Sequence, residues 1–337
     1  PNLLPFTNSD IFGLDRDLNE YEQLFLDPGI ERHLISKNEL MASFAISKAE
    51  NSALTLKEAQ DVYQLVISDK GLDFIGAKLK SGKKLTQKDY EKLEFFNIAR
   101  VFRSLNQDRL TLDTLTPDTV KKIHGQLTQG LDIFKDYLPY FTVYKSGNWR
   151  DNNDIRVGSY TPAPFLEIPE SVEELIEWLK TNRSFISVSV FHTSLYALHP
   201  FNNGNKRVCR ILEYFLLRDL GLNAKNLYSV SYYYHKQKAR YYKYLLNSLE
   251  RKNLNHFTSF ALEGLALSII SVVKTSLEVK RSEFLNTRAL NEQTKIVLRP
   301  LIKKREIQFK NLITFTRGKM ARQTFVNHVR QAEESGF

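Results

Sequence analysis

Apolar residues recur at three- and four-residue spacing along most of this chain, the period of an amphipathic helix. Glu20–Leu26, Lys37–Lys48, Leu56–Ser68 and Lys88–Leu105 all carry it. Thr55 and Glu58 have capping-box spacing, as do Ser171 and Glu174, which predicts helix starts there. The best strand signal is Tyr140-Phe141-Thr142-Val143-Tyr144, paired with Asp154–Ser159 across a polar turn at Ser146–Asn153. Thr161-Pro162-Ala163-Pro164 is excluded from helix by its prolines. Further helices are predicted over Ser171–Leu179, Phe185–Leu198, Lys206–Leu220, Tyr232–Arg251 and His256–Ala289.

The chemistry concentrates where two of these helices meet, at His199-Pro200-Phe201-Asn202-Asn203-Gly204-Asn205-Lys206-Arg207-Val208-Cys209-Arg210. A histidine ends an apolar helix, a polar turn follows, and a new helix opens at once. Such an opening presents unpaired backbone N–H groups and a positive dipole end, a place for an anion. Lys206, Arg207 and Arg210 add formal charge. Val208, Ile211, Leu212, Phe215 and Leu216 form the helix's core stripe, and both arginines fall off it. Taken singly, a histidine is most often structural and two helix arginines a solvated face; the conjunction favours a site.

At these residues the chain resembles the Fic/Doc family, whose pattern reads His-x-Phe-x-(Asp/Glu)-(Gly/Ala)-Asn-(Gly/Lys)-Arg, often followed by x-x-Arg. His199, Phe201, Gly204, Asn205, Lys206, Arg207 and Arg210 match it. Gly147–Arg150 with Ile155–Gly158, Tyr160–Pro164, Leu227–Ser229 and Tyr241–Leu245 extend the likeness over about residues 90–270. The resemblance implies a mainly α fold with a Fic helical core and a short β-hairpin flap. It implies a protein adenylyltransferase moving AMP from ATP onto a Ser, Thr or Tyr hydroxyl. His199 would be the general base, and Phe201 would hold the loop. The N–H groups of Gly204–Lys206 with the Asn205 side chain would stabilise the transferring phosphate, Arg207 would hold the distal phosphates, and Mg²⁺ would bridge them.

Two departures shape the expectation. Asn203 stands where the family has a metal-binding carboxylate, so it is the expected metal ligand but with no negative charge. Lys206 stands where AMP-transferring members mostly have Gly and the Doc phosphotransferases have Lys. Transfer of the γ-phosphate is therefore the alternative activity. Tyr241 and Tyr242 are candidates for the adenine pocket or for plain core. Upstream, Ser47-Lys48-Ala49-Glu50-Asn51 resembles the inhibitory helix of many Fic proteins, with Glu50 expected to pair with Arg210. The serine sits one place late, and Ile46 occupies the position four before Glu50.

Charge adds a third region. Of the net +10, residues 281–337 hold 12 Lys/Arg against 5 Asp/Glu, or +7. Helices predicted over Thr294–Lys304, Phe309–Phe315 and Ala321–Glu334 resemble a winged helix-turn-helix, with Phe325, Val329 and Ala332 inward and Arg322, Gln323, Thr324, Asn327, His328 and Arg330 outward. The small-helical-domain reading stands beside it. The wing is expected to be incomplete at Gly336-Phe337. The expected organisation is an N-terminal helical region with the inhibitory helix (1–90), a Fic catalytic core (91–280) and a basic winged-helix-like domain (281–337). A DNA-binding regulator with a degenerate Fic site is the remaining alternative. The single Cys209 allows no internal disulfide. Pro1–Phe6 reads as no secretory signal, and Phe260–Val273, broken by Glu263, as too short to span a bilayer. A cytoplasmic protein is expected. Its expected partners are a protein substrate, DNA at the basic domain and a second copy in a homodimer, with no membrane.

Overall fold

The structure is a computed structural model, and it describes residues 7–25, 28–50, 52–72, 74–287, 290–303, 307–316 and 318–334. Its helices are α1 (Asn8–Phe25), α2 (Pro28–Ser47), α3 (Leu56–Ile67), α4 (Phe74–Lys80), α5 (Gln87–Gln107), α6 (Pro117–Thr128), α7 (Ile168–Thr181) and α8 (Phe185–Leu198). They continue with α9 (Asn205–Asp219), α10 (Val230–Lys236), α11 (Lys238–Glu250), α12 (Asn255–Thr287), α13 (Glu292–Lys303), α14 (Phe309–Thr316) and α15 (Arg322–Glu334). A one-turn 3₁₀ segment, Lys48–Glu50, extends α2. The fold is mainly α, as the periodicity requires. The chain divides into one compact unit of Pro1–Asn19 with His33–Ile269 and another of Glu20–Arg32 with Ile270–Phe337.

The first unit is built around α8 and α9. Helix α7 packs on α8, and α6 packs on both α5 and α9. Phe185, Val188, Phe191 and Leu195 of α8 are all buried, so this helix is apolar nearly all round, as a central helix must be. The predicted stripe Val208, Ile211, Leu212, Phe215 and Leu216 is buried too. Each such side chain contributes about 1.5–3 kcal/mol of transfer free energy. A neighbouring cluster of Phe44, Leu54, Val62, Tyr63 and Phe95 joins α2 and α3 to α5.

Thr55 and Glu58 form the predicted capping box on α3, and Thr86 with Asp89 forms another on α5. Ser171 and Glu174 do not: α7 already starts at Ile168, because Pro169 in the first turn has φ preset for a helix and needs no N–H partner. The expected hairpin of Tyr140–Tyr144 with Asp154–Ser159 is also absent. Among the described residues this stretch holds only an isolated bridge between Val157 and Tyr160. Side chains hold the backbone at and beside this stretch instead. Asp132 accepts from Tyr144 N (2.6 Å) and Lys145 N (3.2 Å), and the Arg150 guanidinium collects the carbonyls of Asn152, Ala163 and His199. The apolar run at Phe260–Val273 lies inside α12, the helix predicted over His256–Ala289. By length and composition alone Asn255–Glu283 could cross a membrane, with 56% of its apolar window buried in the protein.

In the second unit Val297, Leu312 and Phe325 form a small core with Ile307, Met320 and Val329 against it. Ala332 packs with Leu285 and Leu298. Thus Phe325, Val329 and Ala332 face inward as their spacing predicted. His328 does not stay outside. Its ring nitrogens meet Thr294 Oγ1 (2.9 Å) and Gln293 Oε1 (2.8 Å) on α13.

Candidate active site between helices α8 and α9

Helix α8 ends at Leu198 because Pro200 cannot continue it, and His199 adopts a left-handed conformation (φ 48°, ψ 59°). A non-glycine residue there is uncommon, and such backbones cluster at functional sites. His199 is half-buried, and its Nδ1 lies 3.3 Å from the Tyr196 carbonyl. A carbonyl only accepts, so Nδ1 is the donor in this contact.

The loop that follows is braced from several sides. Arg150 donates its backbone N–H to Pro200 O (2.8 Å) and Nε to His199 O (2.9 Å). Phe201 is fully buried, as expected of the residue that holds the loop. Its ring stacks on His124 (3.7 Å between centroids, 4° between planes) and meets Trp149 (4.9 Å). His124 accepts from Gly147 N at Nδ1 (3.1 Å) and donates from Nε2 to Asn203 O (3.1 Å). Burial drives its pKa down to about 3, so the ring is a neutral bracket. Gly204 (φ 84°) then starts α9, and a Cβ there would come within 3.4 Å of His124 Nε2.

Two side chains expected at the ligand are turned inward. Asn205 Oδ1 accepts from Phe201 N (3.0 Å) and its Nδ2 donates to Phe201 O (2.8 Å). Its amide therefore closes the loop. Asn203 Oδ1 accepts from Gly204 N (2.7 Å). An amide oxygen with no charge, already engaged by a neighbouring N–H, does not suit Mg²⁺, which favours carboxylate and phosphate oxygens. Among the described residues no group of three or more His, Cys, Asp or Glu could hold a metal ion. The expected metal site is thus not formed by these residues.

Of the cations, Arg207 and Arg210 are buried, not on a solvated face. Arg207 donates from NH1 to Glu94 Oε1 (2.7 Å) and from NH2 to Tyr144 Oη (2.9 Å). Arg210 donates from NH1 to Ala45 O (3.1 Å) and lies over the ring of Tyr241 (4.3 Å to its centroid). No carboxylate of the described residues pairs with Arg210, and its Nε has no hydrogen-bond partner. Behind it, Tyr234 donates to Glu213 (2.9 Å), and Tyr241 Oη lies 3.2 Å from His192 Nε2. Tyr241 is fully buried and belongs to the core under Arg210. Lys206 Nζ sits 3.4 Å from Tyr242 Oη.

The turn after α2 is held to this same face. Tyr242 donates to Ala49 O, Lys238 Nζ to Lys48 O (3.0 Å), and Arg210 to Ala45 O. The Glu50 side chain lies outside the described residues. The sequence reading did not find Glu94, His124, Tyr144 or Lys238. Their partners Arg207, Asn203, Arg207 and Lys48 lie 63 or more residues away along the chain, and nothing in local spacing marks such partners. Only the Tyr90–Glu94 spacing of four, a helix-face pair, was visible.

Residues 114–217 match the Fic/DOC family. A probable protein adenylyltransferase of Aquifex aeolicus is 30% identical over 94 residues, which cover 27% of this chain and 29% of that protein. The match thus spans less than a third of that relative's length. A Fic family protein from Desulfovibrio desulfuricans has a similar fold (TM-score 0.59, 19% identity, 98% of this chain and 91% of that one). So does Fic-1 from C. elegans (TM-score 0.51, 16% identity, 82% of this chain and 72% of that one). The segment that matches the Fic/DOC family thus runs through α8, the braced motif loop and most of α9, and the chain shares its fold with Fic proteins of known structure.

Proposed function

We propose that this chain is a protein adenylyltransferase that moves AMP from ATP to a Ser, Thr or Tyr hydroxyl of a target protein. The observation that carries the reading is the placement of His199 at the start of a braced loop that ends in the N-terminus of α9. In the reaction the target hydroxyl oxygen attacks the α-phosphorus. A new O–P bond forms, the bond to the β-phosphate oxygen breaks, and pyrophosphate leaves. His199 Nε2 takes the hydroxyl proton. The N–H groups of the first turn of α9 face the developing charge. Arg210, a buried guanidinium without a carboxylate among the described residues, is the cation for the distal phosphates. Phe201, Gly204 and Asn205 shape the loop rather than touch the nucleotide.

The turn at Lys48–Glu50 is read as a brake, with Glu50 as its acid. Its neighbours Ala45, Lys48 and Ala49 are held by Arg210, Lys238 and Tyr242. Lys206 favours a second reading, transfer of the γ-phosphate. The exposed Arg322, Gln323, Asn327 and Arg330 along α15 favour a DNA contact as a separate property.

Incubation with a target extract and α- or γ-labelled ATP tests this, using the wild type, Glu50→Gly and His199→Ala. Label from α-ATP that rises in Glu50→Gly and disappears in His199→Ala is expected. Label from γ-ATP alone would replace AMP transfer by phosphate transfer. No label from either would remove the transferase reading.

A further inference from the structure

The Arg210 guanidinium rests on rings. Its carbon lies 4.3 Å from the centroid of Tyr241 on α11 and 5.6 Å from that of Tyr234 on α10, while NH1 donates to Ala45 O (3.1 Å). Resting on the reading that Arg210 meets the distal phosphates, we propose that Tyr241 and His192 are positioning residues, an anchored shelf that presets this arginine for ATP.

Arg210, Tyr234, Tyr241 and His192 are all buried. The Tyr241 ring packs on Tyr234 (5.0 Å between centroids) and on Phe257 (5.7 Å), and Tyr234 stacks on Phe260 (5.6 Å, 23° between planes). Both hydroxyls are anchored. Tyr241 Oη lies 3.2 Å from His192 Nε2, and Tyr234 donates to Glu213 Oε1 (2.9 Å). His192 Nδ1 is 3.1 Å from Glu213 Oε2, within ion-pair reach but out of hydrogen-bond alignment. Side chains of α8, α9, α10, α11 and α12 therefore meet under one guanidinium. Burial pushes both tyrosine pKa values up, so the rings stay neutral and offer the cation their π faces.

The anchor comes from the helix that ends in the proposed base. His192 lies two turns before His199 on α8. One helix thus fixes His199 at its end and the shelf earlier along its length. An arginine gives up much rotamer freedom when it docks on a phosphate. Where the protein has already fixed the side chain, that loss is smaller and affinity is higher. Phenol rings fix it without cancelling its charge, which stays available to the ligand.

AMP has no distal phosphates, so it separates a positioning role from plain packing. The Kd values of ATP and AMP are measured by calorimetry, together with Tm. Every full chain carries Glu50→Gly, so that the proposed brake does not mask binding. Arg210→Gln is the reference, expected to raise the ATP Kd about tenfold or more with the AMP Kd within about twofold. Tyr241→Leu, which removes the ring, should raise the ATP Kd about tenfold and again spare AMP. Tyr241→Phe and His192→Asn remove only the anchor, and each should raise the ATP Kd about threefold. Their double variant should be no worse than either, because both break the same contact. Equal losses for ATP and AMP, or a lowered Tm with both Kd values unchanged, would make the shelf plain core and overturn the proposal. Fully additive losses in Tyr241→Phe and His192→Asn would overturn it too. If Tyr241→Leu does not fold, the Tyr241→Phe and His192→Asn pair decides. A loss in Arg210→Gln with none in the shelf variants sinks the proposal alone. An ATP Kd unchanged in Arg210→Gln, or a reference chain that binds no ATP, removes the phosphate reading of Arg210 and the proposal with it.

Discussion

His124 and Gly204 show how narrowly the loop after His199 is specified. Gly204 lies at φ 84°, and its Cα faces the His124 ring. We predict that Gly204→Ala costs about 1–2 kcal/mol from the left-handed backbone alone. Urea unfolding measures it, and a cost near zero would mean the loop relaxes without consequence. His124 adds a pH dependence. In the unfolded chain it takes a proton near pH 6.5, its ordinary value, and in the folded chain only near about 3. Between these values the unfolded state holds the extra proton, so stability is full above about pH 6.5 and falls as pH drops. The slope from this group is at most about 1.4 kcal/mol per pH unit. His124→Gln should be less stable at pH 7.5 yet lose less on acidification between pH 6.5 and 5. Parallel curves for the two proteins would rule out His124 as the titrating group.

At the scale of elements, the turn that ends α2 is the part most open to manipulation. It is held through its carbonyls: Tyr242, Lys238 and Arg210 each donate to a backbone oxygen within residues 45–49. Removing one such hydrogen bond is worth about 1 kcal/mol, or roughly fivefold in an opening equilibrium. Tyr242→Phe is therefore predicted to raise α-label transfer up to about fivefold, below the rise in Glu50→Gly. If Glu50→Gly activates and Tyr242→Phe does not, the carbonyl contacts are not part of the restraint. Helices of this kind were legible because burial repeats with their own period. The α9 stripe, the end of α8 at Pro200 and the Thr55–Glu58 box all came directly from local spacing. The hairpin expected at Tyr140–Tyr144 did not form, and at its end Asp132 takes the backbone N–H groups of Tyr144 and Lys145 instead. The same limit hid Glu94 and His124. Local spacing finds the cation and the loop, but not the buried acid or ring that a distant helix brings to them.

For the molecule as a whole, charge is distributed unevenly, and this bears on the C-terminal unit. Residues 281–337 carry +7 of the net +10. Along α15, Arg322, Gln323, Asn327 and Arg330 are exposed, while His328 is turned to α13 and withdrawn from any such face. Phosphate contacts made by exposed arginines release counterions, so a real DNA complex must weaken steeply with salt. We predict a salt-sensitive gel shift of duplex DNA by the full chain. The Arg322→Ala/Arg330→Ala pair should reduce the slope of log K against log salt by about 2, close to one per arginine. Because these residues belong to a different compact unit from His199, the same pair should leave α-label transfer unaltered. Absence of any shift at low salt would leave the +7 as ordinary surface charge on a small helical unit. A shift with an unaltered slope would move the contact off α15 to the other basic residues of 281–337, which carry the remaining lysines and arginines of that segment.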